Sequence, residues 1–278
     1  MRALSTVLSP LELQLLGGIF LSLVVSLLAW RTHALSTSGM LAALLTGSLI
    51  FGLGGLPWAA LLLGFFISSS ALSKAFARRK AAINEKYAKG SQRDWGQVLA
   101  NGGLGTLLAL VYAAKPGQTW TWVAFAGAMA AVNADTWATE LGVFSAIPPR
   151  LISNGKTVEA GTSGGVTPLG YLAALGGAAF IAAVAAAFTP GRNILIELTV
   201  IILGGVAGSS FDSLLGATAQ AIYYCPTCQK ETERHPIHSC GSQTQRLRGW
   251  RWLNNDWVNF ACSLAGALVA VGLSTLFF

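Results

Sequence analysis

The chain has 278 residues, 53% of them hydrophobic and only 10% charged, with 32 glycines. Soluble domains carry roughly 25% charged residues, so this composition excludes a soluble protein and points to an all-α, polytopic membrane helical bundle. The net charge of +7 would suggest nucleic acid in a soluble chain; here it reads as orientation in the membrane, and no nucleic-acid partner is expected.

Eight apolar segments follow in chain order, at 11–30, 37–54, 57–73, 96–114, 119–144, 166–188, 194–214 and 257–276. Each is near the ~20 residues that cross a bilayer core. The first is long enough to span, and no small-residue cleavage pattern follows it, so no cleavable signal peptide is expected. The second and third are separated only by a Gly-Gly-Leu turn. With eight spans, the loops at 31–36, 74–95, 145–165 and 215–256 share one side and hold 15 of the 18 Lys and Arg. Only Arg2, Lys115 and Arg192 fall opposite. The excess of basic residues makes the crowded side cytoplasmic, with both termini outside. The expectation is one integral membrane domain over 1–278, in a plasma or thylakoid membrane, with a cytoplasmic Cys/His insert at 222–250.

The polar residues gather at that same side. Asn101 begins the fourth span, and Asn133, Asp135 and Glu140 end the fifth. Thr162, Ser163, Gly164 and Gly165 precede the sixth; Asp212 ends the seventh; Asn254, Asn255, Asp256 and Asn259 open the eighth. A carboxylate at mid-bilayer costs about 2.5–3.5 kcal/mol on insertion scales. Five polar helix ends on one side therefore read as one site at the inner leaflet. At 100° per residue, Asn133, Thr136, Trp137 and Glu140 share a face, whereas Asp135 lies roughly 140° round from Glu140. Either the helix opens there or the two acids serve different neighbours. Gly127 precedes Asp135 by eight residues, as Gly204 precedes Asp212, which hints at a parallel repeat.

Each motif has a plainer reading. Gly204, Gly205 and Gly208 read as a packing stripe, which leaves Asp212 unexplained. The 161–167 stretch, with Lys156 upstream, suits an anion at a helix N-terminus, phosphate above all, or it is only a flexible re-entry loop. Beside carboxylates, a phosphate brings Mg²⁺ between them. Cys225, Cys228, His238 and Cys240 have the spacing of a closed structural zinc site, with His235 spare or replacing His238. Cys262, alone in a span, reads as a core residue. Arg78, Arg79, Lys80, Lys86, Lys89 and Arg93 read as topology and lipid-headgroup contact, or as attraction for a nucleotide. Arg246, Arg248 and Arg251 are better placed for phosphate.

Together, 97–103, 133–142, 161–167, 208–220 and 254–259 resemble the phytyl-phosphate kinase family of plants and cyanobacteria, with its bacterial, archaeal and animal relatives. The block from Asp135 to Glu140 and the block from Asp212 to Thr218 are its specific parts, and the resemblance runs from about residue 10 to the end. It implies phosphoryl transfer from a nucleoside triphosphate, CTP favoured, to an isoprenoid monophosphate, giving the diphosphate. In phototrophs such chemistry serves tocopherol and phylloquinone synthesis. On this reading Asp135 and Asp212 hold Mg²⁺, with Glu140 or Asp256 second. Asn101, Asn255 and Asn259 orient phosphates or metal-bound water, and Asn133 is counted among the catalytic residues. Thr162 to Gly165 cradle a phosphate, and Lys156 with Arg248 or Arg251 adds charge. Membrane lipids are further partners, and a homodimer is compatible with the sequence. The alternatives are a secondary transporter of a lipid phosphate or anion, whose sites lie near the midplane, and a CTP-dependent prenyl-phosphate cytidylyltransferase.

Overall fold

The computed structural model describes residues 9–77, 86, 87, 89, 92–189 and 193–277. The basic run at 78–80, Arg2 and Arg192 lie outside them. The described residues form seven helices: α1 (Pro10–Arg31), α2 (Thr37–Phe76), α3 (Trp95–Ala114), α4 (Thr119–Gly142), α5 (Pro168–Ala186), α6 (Ile194–Thr218) and α7 (Asn255–Phe277). Short strands β1 (Arg150–Leu151) and β2 (Gly165–Val166) pair antiparallel, and β3 (Ile222–Cys225) lies between β4 (Lys230–Thr232) and β5 (Gln245–Arg248). The two small sheets are additions to the expected all-helical architecture.

Helix starts follow their capping residues. Ser9 and Glu12 form a capping box on α1, with Pro10 in its first turn, and Asp94 with Gln97 repeats the arrangement on α3. Thr167 caps α5 ahead of Pro168.

The expected second and third spans form one 40-residue element, α2, broken at Gly55. Gly39 in its first half packs on the Arg93 carbonyl, while Ser69 in its second half accepts a hydrogen bond from the Arg93 guanidinium at 2.7 Å. A straight helix would separate those residues by roughly 45 Å. The element therefore reverses at Gly55, whose φ of 74° is open to glycine.

Six of the seven helices are long and apolar enough to cross a membrane; α4 falls outside that set. It is the central helix. Every residue from Val123 to Ala134 is buried, among α2, α3, α5, α6 and α7. A helix covered on all sides needs no lipid-facing apolar stripe, so α4 can carry Asn133, Asp135 and Glu140. Packing is close and built on small residues. A Cβ on Gly127 would lie 2.6 Å from Ala270 Cβ, and one on Gly204 would lie 2.8 Å from the Gly266 carbonyl. Both α4 and α6 thus cross the same turn of α7. Their acids lie eight residues beyond those glycines, so Asp135 and Asp212 arrive at one level. The eight-residue spacing is a crossing geometry.

The four loops expected on one side do meet at one end. Lys74 Nζ donates to the Thr32 carbonyl at 2.7 Å, Lys86 Nζ to Glu159 Oε2 at 2.8 Å, and the Glu233 amide to the Lys86 carbonyl at 2.8 Å.

Candidate functional site

At this end lies a cavity of about 400 Å³. Its wall includes Asn101 of α3, Asp135 and Glu140 of α4, Asp212 of α6, and Asn255, Asp256 and Asn259 of α7. Thr162, Ser163, Gly164 and Gly165 close another side. Eleven of the residues expected at the site are therefore brought together.

The two acids of α4 are 140° apart on an unbroken helix, yet both reach the cavity. It wraps around the last turns of α4, so each acid meets different company. Glu140 accepts from Ser73 of α2 at 2.8 Å, whereas Asp135 stands on the side of Ser209 and Asp212 of α6. The buried Oδ2 of Asp212 has no hydrogen-bond partner among the described residues. A buried acceptor left open costs about 1–3 kcal/mol, and a cation is the partner that a carboxylate pair invites. Two carboxylates with nearby amides fit Mg²⁺, which keeps several waters and takes one or two protein carboxylates.

The glycine-rich loop is held by contact. Gly164 has φ of 81°, and a Cβ there would lie 2.3 Å from the Ala217 nitrogen, so the loop sits directly on the C-terminal end of α6. Ser163 Oγ shares its proton between Gln220 Oε1 at 3.0 Å and Glu233 Oε1 at 3.1 Å, and Gln220 Nε2 donates to Glu233 at 2.9 Å.

Four expected residues stand elsewhere. Asn133 is fully buried; its amide donates to the Gly177 carbonyl at 2.8 Å and its oxygen accepts from Ser68 at 2.9 Å. It ties α4 to α5 and α2. Arg248 donates to the Gly216 carbonyl at 2.8 Å, capping the end of α6. Lys156 and Arg251 are exposed and off the cavity wall. Their local sequence is basic and near the motif, but loop residues follow no helical period that could be read.

Two cations take their place. Lys89 bridges Asp94 at 2.9 Å and Asp256 at 2.5 Å. Burial opposes its charge, but hydrogen bonds to Asp256 and Asp94 outweigh that and raise its pKa. Arg93 is enclosed over the Phe65 and Phe66 rings, 5.1 and 5.6 Å from their centroids. Burial pulls its pKa down to about 10, against the opposing pull of Glu140. Both are in the basic run read as headgroup contact or as attraction for a nucleotide, and Glu233 and Tyr87 also reach the wall.

Beside the cavity, Cys225 at the end of β3 and the loops on either side of β4 carry the Cys/His cluster. The ligand atoms of Cys225, Cys228, His238 and Cys240 all lie within 4.8 Å of one another. Cys225 and Cys240 sulfurs are 3.5 Å apart, and His238 Nδ1 is 3.3 Å from Cys240 and 3.6 Å from Cys228. Those are the edges of a tetrahedron about an ion with bonds of roughly 2.0–2.3 Å, so the cluster could hold a metal. His235 instead stacks on Tyr223, centroids 4.3 Å apart. Cys262 is buried among α4, α6 and α7, beneath Gly208.

The family model described as "Integral membrane protein DUF92" matches residues 20–267. Protein PGR of Arabidopsis thaliana is 33% identical, over 88% of this chain and 92% of its own length. An uncharacterised membrane protein of Methanocaldococcus jannaschii is 29% identical, over 93% and 94%. Protein VTE6, chloroplastic, of Arabidopsis thaliana is 25% identical, over 85% of this chain and 64% of its own length. No solved structure matches.

Proposed function

Because this chain belongs to the DUF92 family of integral membrane proteins, whose membership the sequence motifs anticipated, we propose that it is a membrane kinase of isoprenoid monophosphates. An oxygen of the lipid monophosphate attacks the terminal phosphorus of a nucleoside triphosphate. The bond from that phosphorus to its bridging oxygen breaks, nucleoside diphosphate leaves, and the lipid diphosphate forms. The attacking group is largely dianionic at neutral pH, with a second pKa of about 6, so no strong general base is required. The difficulty is to bring two polyanions together, and such transfers depend on positioning and charge neutralisation.

The observation that carries the reading is the single cavity that combines Asp135 and Asp212, the glycine-rich loop and the cations Lys89 and Arg93 at one end of a membrane bundle. Mg²⁺ bound by Asp135 and Asp212 would neutralise phosphate charge. Asn101, Asn255 and Asn259 orient phosphate oxygens or water, and the loop binds phosphate through the Thr162 hydroxyl and the Ser163 and Gly164 amides, the Thr162 and Gly165 amides being taken by the Glu159 and Thr162 carbonyls. Glu140 and Asp256 are themselves held, by Ser73 and Lys89, which fixes the shape of the wall. The Cys/His cluster holds zinc in a structural role: three thiols and an imidazole are a donor set suited to that ion.

The test uses purified protein in detergent with Mg²⁺. Phytyl and geranylgeranyl monophosphates are offered with each nucleoside triphosphate, and the lipid products are weighed. A lipid heavier by one phosphate supports the kinase. A lipid carrying a nucleotide would make the protein a cytidylyltransferase instead. Absence of any product, with substrate flux into liposomes, would make it a transporter.

A further inference from the structure

A second cavity, about 70 Å³ with an almost wholly apolar wall, lies between α1, α2 and α3. It shares Arg93, Gln97 and Asn101 with the polar cavity. The two spaces therefore meet at one polar rim. Along α2 the slot reaches from Ala43 to Phe51, about 12 Å of helix.

Gly102 marks it independently. This residue of α3 is buried, yet a Cβ placed on it would meet nothing within 4 Å. Most other buried glycines here are buried because something presses on them: Gly127, Gly204 and Gly208 each have a neighbour within 3 Å of that point. A buried glycine facing open, apolar space preserves room, and interiors otherwise leave few voids larger than water.

We propose that this slot binds the first isoprene unit of the substrate's tail, with the phosphate at the rim formed by Arg93, Gln97 and Asn101 and the rest of a longer chain running on between the helices. This assignment rests on the kinase reading above. The occupant follows from the junction. Polar and charged groups line one side of the rim and hydrocarbon the other, so the ligand that spans it has an anionic head joined directly to an apolar chain. Arg93 belongs to both spaces. Its guanidinium lies over Phe65 and Phe66, which line the slot, and so its charge is fixed where head meets tail. Gly102, one residue from Asn101, sets the width of the passage just inside.

Two measurements test this. The first fills the slot. Gly102→Leu is assayed with geranylgeranyl and dimethylallyl monophosphates, and Gly103→Leu, which adds the same bulk outside the slot, serves as control. The expected result is a KM about tenfold or more higher for both chains, little change in kcat, and no such rise in Gly103→Leu. No rise in KM, or an equal rise in Gly103→Leu, would overturn the assignment. The second uses wild-type protein and needs no turnover. A geranylgeranyl phosphate with a photoreactive group in its first isoprene unit is cross-linked, and the labelled peptides are identified. Label on α1, α2 and α3 around Val25, Ala43 and Gly102, competed away by unlabelled prenyl phosphate, supports the slot. Label confined to α5 or α6, or label that an ordinary phospholipid displaces equally well, refutes it. Cross-linking without any kinase activity would overturn the kinase reading and leave the slot standing.

Discussion

Gly164→Ala probes how the phosphate-suited loop is held. Two penalties apply. An L-residue in the left-handed region costs roughly 1–2 kcal/mol, and Gly164 has φ of 81°. The new methyl would also fall 2.3 Å from the Ala217 nitrogen and 2.5 Å from its Cα. These are backbone atoms of α6 and cannot turn aside, so overpacking adds about 1–3 kcal/mol. The total is about 2–5 kcal/mol. Gly155→Ala, in the same loop, is the matched comparison, since its φ is 72° but nothing lies within 4 Å. It incurs only the first penalty. Hydrogen exchange reads the difference as local opening, at the Gly165 amide bonded to Thr162 and the Ile152 amide bonded to Gly164. At 1.4 kcal/mol per tenfold, Gly164→Ala accelerates these amides by about 30-fold or more and Gly155→Ala by about 5- to 30-fold. Equal acceleration in the two variants would refute docking of the loop on α6.

Asp135→Asn and Asp212→Asn, inserted normally, lose about a hundredfold or more of kinase turnover; normal product formation in either would remove the acids from the chemistry. Metal analysis of purified protein gives about one zinc per chain, lost in Cys228→Ser and His238→Ala but retained in His235→Ala. Because the ligands bind deprotonated, zinc retention falls as pH falls. Lys89 gains a raised pKa from Asp256 and Asp94, so its stabilisation is fully present below the ordinary lysine value and is lost as pH rises through the folded one. Wild type is therefore more stable than Lys89→Met at neutral pH, and thermal unfolding curves of the two converge above about pH 10.4. A constant gap at high pH would exclude the ion pair as its source.

The level of the site was legible because hydropathy and charge sort along the membrane normal. Asn101, Asp135, Asp212 and Asn259 lie on different spans, yet each stands at the same end by counting alone. Azimuth was harder. Asn133 is two residues from Asp135 and equally polar, but its turn of α4 faces α5 and α2, where backbone and Ser68 satisfy it. Only the neighbours distinguish a polar residue that packs from one that lines a cavity. Lys89 and Arg93 could not be told from the rest of their basic run for a related reason. A basic loop looks like headgroup contact until Asp256, 167 positions away from Lys89, is seen beside it. The expected parallel between Gly127–Asp135 and Gly204–Asp212 was visible, but its cause, a shared crossing on α7, is tertiary.

The covered position of α4 has a consequence for biogenesis. A nascent segment enters lipid from the translocon by its own hydrophobicity, and α4 alone lacks the hydropathy that its neighbours have. It must be retained by partners. α2 and α3 precede it, but α5, α6 and α7 emerge afterwards, and α7 carries the Gly266 turn on which α4 rests. The helix that carries Asp135 and Glu140 thus reaches its final surroundings only after α7 has emerged. Truncation before α7 would leave its Gly127 face bare to lipid. Loss of α7 is then a defect of insertion before it is a defect of catalysis.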